Sequence, residues 1–194
     1  FGYINTSGEL VIPAKYSWAY PFSEGRAFVI KNDYKELIDA NGNTIVKYKD
    51  DLERENFSDG YAIIRRNDKY GYINKSGKVV IKPSSKWYQV ESFSEGLASY
   101  WVGPTTFENA YGYINKKGKI VIKPSYGQAF QFSDGLACVQ DGKTYKYGFI
   151  NKKGKKVIKC TYDYALNFKN GLACVMKNGK SYMIDKKGKT ITIK

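Results

Sequence analysis

The sequence contains no histidine and only three cysteines, Cys138, Cys160 and Cys174. Without histidine the chain cannot form a Ser-His-Asp triad, a Cys-His dyad or a histidine-based zinc site. The cysteines lack metal-ligand spacing, and their odd number argues against a disulfide-linked scaffold. No apolar run reaches the roughly 20 residues that a membrane-spanning helix needs. The sequence therefore predicts no enzyme, no metal, no cofactor and no membrane span.

Aromatic residues are abundant by contrast. They make up 16% of the 194 residues, and 18 of them are tyrosines. Tyrosine, isoleucine and valine favour strands, and the 19 glycines supply residues for turns. Hydrophobic residues (42%) and charged residues (26%) are in the proportions of a folded chain. The composition thus predicts a folded, β-rich protein.

Two short sequence blocks alternate along the chain. The first reads FGYINTSG at residues 1–8 and recurs at 35–42, 70–77, 111–118, 147–154 and 181–188. The second reads FSEG at residues 22–25 and recurs at 57–60, 93–96, 132–135 and 168–171. A repeat of this length is typical of a solenoid, propeller or similar array. The predicted units run about 1–34, 35–69, 70–110, 111–146 and 147–180, with a half unit at 181–194.

Each unit predicts a three-stranded meander. In the first block a β-rich run is followed by a turn that opens with Asn or Asp and closes with Gly, as from Asn115 to Gly118. Asx side chains and glycine stabilise such hairpin turns. The third strand follows the second block, with alanine always at its second position, as at Ala137. This recurring small residue indicates a closely packed neighbouring sheet. The loop segment 129–132 offers an alternative fourth strand.

The two blocks resemble the WG-repeat (KWG-repeat) family, whose units combine an aromatic-Gly-Phe-Ile-Asn motif with Phe-Ser-Glu-Gly-Leu-Ala. The resemblance covers the whole chain, with Tyr-Gly or Phe-Gly in place of Trp-Gly, as at Tyr111-Gly112. The second and sixth copies lack that glycine. The resemblance implies an all-β fold and a mostly bacterial family of binding or scaffold modules without defined chemistry.

The chain begins and stops with the first two strands of a unit, so neither end carries a spare third strand to complete the other. This favours an open superhelical or solenoid array, with a β-propeller as the alternative. Because Phe1 lies inside a repeat, we expect the natural start to lie upstream. On that expectation the location stays open between the bacterial cell surface or extracellular space and the cytoplasm.

Positive charge is concentrated in the last repeats. Residues 1–69 carry a net charge of −1, residues 70–110 of +1 and residues 111–194 of +14. Most of the surplus lies in the hairpin turns, at Lys116, Lys117, Lys119, Lys152, Lys153, Lys155, Lys156, Lys186, Lys187 and Lys189. Equivalent turns align in a stacked array, so these lysines predict a basic stripe that contacts a polyanion, a glycan or a protein. A solvated edge that prevents aggregation is the alternative.

The other candidate residues have structural interpretations. The acids of the second block, Glu24, Asp59, Glu95 and Asp134, are predicted to be turn residues rather than paired catalytic carboxylates. Cys138 and Cys174 occupy equivalent apolar positions and are predicted to be packed thiols. The loop aromatics are predicted to pack, with stacking on sugars or bases as the alternative; they are Tyr16, Trp18, Trp87, Tyr126 and Tyr162.

Two functions of different class follow from these features. The first is a non-catalytic binding or scaffolding module that uses its basic C-terminal repeats. The second is a structural spacer or stalk beside another domain. A patch specific to one repeat favours binding, whereas identical faces favour the spacer. Lysine outnumbers arginine by 28 to 4, so sequence-specific recognition of nucleic acid is not expected.

Overall fold

A computed structural model of the chain describes residues 1–49, 56–104 and 110–191. Within these ranges all regular structure is β, which confirms the predicted all-β repeat fold. The second, third and sixth predicted units each extend beyond the described residues, at 50–55, 105–109 and 192–194. The chain divides into two compact units, Phe1–Ser85 and Lys86–Lys194.

The first compact unit contains three antiparallel sheets in chain order. Sheet A consists of β1 (Tyr3–Ile4) and β2 (Leu10–Ile12). Sheet B has the order β3 (Trp18–Ala19), β4 (Arg26–Lys31), β5 (Tyr34–Asp39) and β6 (Thr44–Tyr48). Sheet C has the described strands β7 (Tyr61–Arg66), β8 (Lys69–Asn74) and β9 (Val79–Ser84).

The second compact unit contains three four-stranded antiparallel sheets. Sheet D has the order β10 (Gln89–Val90), β11 (Leu97–Trp101), β12 (Tyr111–Asn115) and β13 (Ile120–Tyr126). Sheet E consists of β14 (Gln128–Ser133), β15 (Leu136–Gln140), β16 (Tyr147–Asn151) and β17 (Lys156–Tyr162). Sheet F consists of β18 (Tyr164–Ala165), β19 (Leu172–Lys177), β20 (Lys180–Asp185) and β21 (Thr190–Ile191).

Each complete sheet draws its strands from two successive repeats. The third strand of one repeat pairs with the first strand of the next, as where Leu136 of β15 faces Asn151 of β16. The fourth strand that the sequence offered at 129–132 is present as β14. Its counterparts β3, β10 and β18 are only two residues long. Pairing with the long neighbouring strand, rather than local propensity, therefore defines these short strands.

The predicted Asx–Gly turns form in the expected way. The Asn115 side-chain oxygen accepts hydrogen bonds from the amides of Lys117 (3.0 Å) and Lys119 (3.1 Å). Gly118 closes the turn with a φ of 72°, in the region that glycine adopts without a steric penalty. In the second block, the acid and the glycine both have positive φ, as in Glu24-Gly25 (49° and 75°). This is the signature of a type I′ turn, which joins strands with the correct twist.

Hydrophobic cores lie between successive sheets within each compact unit. In one core, Leu97 and Tyr113 of sheet D pack with Phe132, Ala137 and Ile150 of sheet E. The recurring alanine of the third strand is at most 1% exposed in every copy; the residues are Ala27, Ala62, Ala98, Ala137 and Ala173. Within the compact units, four of them pack in a core with residues of a neighbouring sheet, as predicted; they are Ala27, Ala62, Ala137 and Ala173. A larger side chain at this position would push the sheets apart.

Glycine is needed in the aromatic-Gly pair for a different structural reason, the close approach of a neighbouring strand. A methyl group on Gly148 would lie only 2.6 Å from the carbonyl oxygen of Ile158 in β17. The pairing register shifts between Tyr147 and Phe149, so the bulged partner strand crosses directly over the glycine. In the second copy Glu36 takes this place, and there the pairing with β6 is regular. The copy without glycine is therefore also without the bulge at this point.

Candidate functional site

The lysine-bearing turns of sheets D, E and F follow one another on the second compact unit. A methyl group added to Gly154 of the sheet E turn would lie 3.3 Å from the side chain of Ile122 in β13. The same contact recurs between Gly188 and Ile158 of β17, at 3.5 Å. The Tyr126 hydroxyl also donates to the carbonyl of Gly154, at 3.4 Å. The turns of sheets E and F thus each rest on the outer strand of the preceding sheet.

The predicted stripe lysines differ in exposure and pairing. Lys152 forms a salt bridge of 3.0 Å with Glu95, and the Lys156 ammonium lies 3.5 Å from Asp141. Lys116 is half-buried and also has an interaction partner. The other seven are exposed and form no salt bridge with any described residue; they are Lys117, Lys119, Lys153, Lys155, Lys186, Lys187 and Lys189. We call these seven residues the free turn lysines.

Lysine is not required to build these turns. The third turn residue donates its backbone amide to the Asx side chain whether it is Lys117, Lys153 or Lys187. The equivalent residues in the first compact unit make the same hydrogen bond and are uncharged; they are Ser7, Asn41 and Ser76. The hairpin geometry therefore leaves the charge of the last three turns unexplained.

The acids of the second block have a structural function that sequence reasoning missed in part. They are turn residues, as predicted, and the side chains of Glu24, Glu95 and Asp134 also reach the next repeat. Asp134 accepts a hydrogen bond of 2.6 Å from the amide of Gly171, and Glu95 accepts one of 3.1 Å from Gly135. The neighbouring Ser133 hydroxyl donates to the carbonyl of Phe168 at 2.5 Å. Acid and serine together join successive second-block turns.

The first compact unit contains the same link between Glu24 and the amide of Gly60, at 3.0 Å. Burial alone would raise the pKa of Glu24, but hydrogen bonds from Lys75 and Gly60 outweigh it and lower that pKa. Lys75 is the first lysine of its turn and lies 3.0 Å from Glu24, which matches the pairing of Lys152 with Glu95. In the turns of sheets C and E the first lysine therefore has a structural partner.

Cys138 fits the packed interpretation, whereas its equivalent Cys174 is only half-buried. Cys138 is 1% exposed, and burial, assisted by Cys160, raises its pKa to about 12. Its thiol donates weakly to the carbonyl of Ala165 at 3.7 Å. A thiol with this pKa is neutral at physiological pH and a poor nucleophile. Within the described ranges no group of three or more His, Cys, Asp or Glu side chains could hold a metal ion.

Most of the loop aromatics pack, as their first interpretation predicted. Tyr16, Trp87 and Tyr126 are buried, and Tyr162 is half-buried. Trp18 differs, because it is 49% exposed and touches Phe1 and Tyr20 through ring contacts.

No helix in the described part of the chain is long and apolar enough to span a membrane.

A family model for the WG containing repeat matches the sequence five times, at residues 1–34, 37–70, 70–100, 111–145 and 147–180. Among curated proteins, none matches this sequence. These matches cover most of the chain and confirm the predicted resemblance to the WG-repeat family.

Several solved structures are similar in fold. Kluyveromyces lactis Hsv2 is 9% identical with a TM-score of 0.58, over 90% of this chain and 63% of that structure. A eukaryotic initiation factor is 12% identical with a TM-score of 0.62, over 98% of this chain and 60% of that one. Hsv2 is propeller-like, so the likeness is compatible with the propeller alternative as well as with the stacked array. The chain spans about three fifths of both structures, and at such identities the likeness shows the fold alone.

Proposed function

This chain belongs to the family of proteins built from the WG containing repeat, and from that premise we propose that it is a non-catalytic binding module. Its free turn lysines contact an anionic polymer, such as a nucleic acid, a sulfated glycan or a polyphosphate. The observation that carries the proposal is the set of exposed lysines without a salt bridge on three consecutive turns. At the third position of the turn, where these have Lys117, Lys153 and Lys187, the first three turns have the uncharged residues Ser7, Asn41 and Ser76.

Aligned ammonium groups suit a polyanion better than a small anion. Neutralisation of several phosphates or sulfates by one protein releases condensed counterions, and this release dominates the affinity of basic proteins for nucleic acids. Lysine acts as a compact point charge and not as a bidentate fork, so the expected recognition is of charge density rather than sequence. The residues that dominate the affinity of protein–protein interfaces are instead enriched in tryptophan, tyrosine and arginine.

The competing explanation for the free turn lysines is that they protect exposed sheet edges from aggregation. The positions of lysines in the sheets distinguish this role from binding. The outer strands β9, β13 and β17 each have an exposed lysine directly after the buried isoleucine, at Lys82, Lys123 and Lys159. These three residues, here called the edge lysines, lie on unpaired strand edges, where charge opposes sheet-to-sheet association. The free turn lysines lie outside those strands, in the hairpin turns that precede β13, β17 and β21. Protection of the strand edges alone therefore does not account for them.

Two matched triple variants test the proposal on the full chain. In the turn variant Lys117, Lys153 and Lys187 become serine, the residue that the third turn already contains at Ser76. In the edge variant Lys82, Lys123 and Lys159 become serine, so both variants lose the same charge. We expect the turn variant to bind heparin and single-stranded DNA at least tenfold more weakly than the parent, and the edge variant to bind nearly as the parent does. Equal binding by all three proteins would favour the spacer function.

A further inference from the structure

One repeat departs from the others at a buried position of the third strand. Ser99 of β11 is the equivalent of Phe28, Ile63 and Cys138, because each residue pairs with the third residue of the next first strand. Ser99 is 1% exposed, and its hydroxyl has no hydrogen-bond partner among the described residues. A buried hydroxyl without a partner costs about 1–3 kcal/mol, so such groups call for an explanation.

The small serine lies at the wall of a cavity of about 450 Å³ within the second compact unit. This volume falls in the range of small-molecule sites, about 300–1,000 Å³. The cavity uses residues from sheets D, E and F, and they are mostly polar or aromatic; they are Glu91, Ser99, Tyr111, Gln128, Ala129, Phe130, Gln131 and Asn167. An isoleucine or phenylalanine at position 99, as in other repeats, would fill part of this space.

The polar groups of the cavity point to a ligand with several hydroxyls. Gln131 and Asn167 are exposed amides that can both donate and accept hydrogen bonds. The Ser99 hydroxyl itself is buried, so Ser99 contributes to the cavity through its small size. Gln128 accepts a hydrogen bond of 3.3 Å from the hydroxyl of Tyr147. The charged side chain of the lining is the acid Glu91. An anionic ligand is therefore disfavoured here, in contrast to the free turn lysines.

Aromatic rings complete the pattern. Phe130 is 40% exposed at this cavity, and Tyr111 lies between it and a second cavity of about 380 Å³. The second cavity also contains Trp101, whose ring stacks on Tyr111 with centroids 6.3 Å apart and an interplanar angle of 15°. Flat aromatic faces can cover the apolar C–H face of a sugar ring, while the amides and hydroxyls bond its edge.

We propose that the cavity beside Ser99 binds a neutral saccharide. The amides of Gln131 and Asn167 bond the sugar hydroxyls, Phe130 and Tyr111 contact the ring faces, and the small Ser99 side chain leaves the space that the sugar occupies. Because the two cavities share Tyr111 and Gln128 in their walls, the ligand that would use both is a disaccharide rather than a single ring. The site shares no residue with the free turn lysines, so it is independent of the polyanion function.

Titration of the full-length chain by NMR tests the assignment, with cellobiose, maltose and N,N′-diacetylchitobiose as neutral probes. Glucuronic acid and glucosamine are the charged controls. We expect at least one neutral disaccharide to shift the amide resonances of Ser99, Gln131 and Asn167, and to do so more strongly than either charged sugar. If only glucosamine shifts them, or if no neutral probe does, the saccharide site is wrong.

Variants give the second readout. Ser99→Ile introduces the residue that β7 has at this position and should abolish binding by filling the cavity. Asn167→Ala changes an exposed side chain, keeps the fold and should weaken binding about tenfold, the loss that corresponds to 1.4 kcal/mol. The turn variant should bind the sugar as the parent does, even if it no longer binds polyanions. Unchanged affinity in both Ser99→Ile and Asn167→Ala would overturn the proposal.

Discussion

Replacement of Gly148 by alanine tests why the aromatic-Gly pair needs glycine. The added methyl would meet backbone atoms of β17, at 2.6 Å from the Ile158 oxygen and 2.7 Å from the Cys160 nitrogen. An ordinary contact starts near 3.4 Å, so the bulged strand would have to move by nearly an ångström. Backbone held by pairing on one side and a packed core on the other cannot move freely.

The expected loss of stability follows from this overlap. Overpacked sites lose about 1–3 kcal/mol, and a loss of about 2 kcal/mol lowers Tm by about 4–8 °C in a chain of this size. Thermal melts followed by circular dichroism measure the shift. The control is Tyr182→Ala at the equivalent place in the sixth copy, where we expect a loss of about 1 kcal/mol or less because Tyr182 is partly exposed. A Gly148→Ala melt within 1–2 °C of the parent, by rough estimate from the same scaling, would refute the steric explanation.

Two further predictions concern the acids and the thiols. The folded-state pKa of Glu24 lies below its ordinary value, so its ionised form stabilises the fold above about pH 4.5 and that contribution is lost as the pH falls through the folded pKa. Glu24→Gln should therefore lower the free energy of unfolding by up to about 1 kcal/mol at pH 7 and by much less near pH 3. Urea titrations at the two pH values measure the difference, and equal losses at both would contradict this prediction. Cys138 should resist alkylation by iodoacetamide at pH 8, because its pKa is raised to about 12. If Cys138 is modified as fast as a free thiol, the native thiol is accessible and this prediction is wrong.

Local chemistry made the strands and turns predictable. The hydrogen bonds at Asn115 and the positive φ of Gly118 depend on residues within one turn, and the sequence contains that information directly. The third strands were also predictable, because each follows the second block and has alanine at its second position, as at Ala137. The two-residue strands such as β18 were not, since their pairing depends on a neighbour about ten residues away and not on their own composition.

The candidate site was predictable only in outline. Charge counting located the lysine turns, but not the salt bridge between Lys152 and Glu95, whose partners lie in successive sheets. The link from Asp134 to Gly171 was missed for the same reason, because 37 residues separate its ends. The cavity beside Ser99 had one visible signal, a serine among apolar equivalents, but a void is a property of packed sheets and cannot be deduced from one strand.

The salt dependence of polyanion binding tests the function of the free turn lysines most directly. The parent, the turn variant and the edge variant are titrated with a double-stranded DNA oligonucleotide over a range of salt concentrations. If Lys117, Lys153 and Lys187 each neutralise a phosphate, the slope of log K against log salt should be shallower by about 2–3 in the turn variant. The edge variant should keep the slope of the parent. Equal slopes in all three proteins, or a loss confined to the edge variant, would contradict the proposed binding surface.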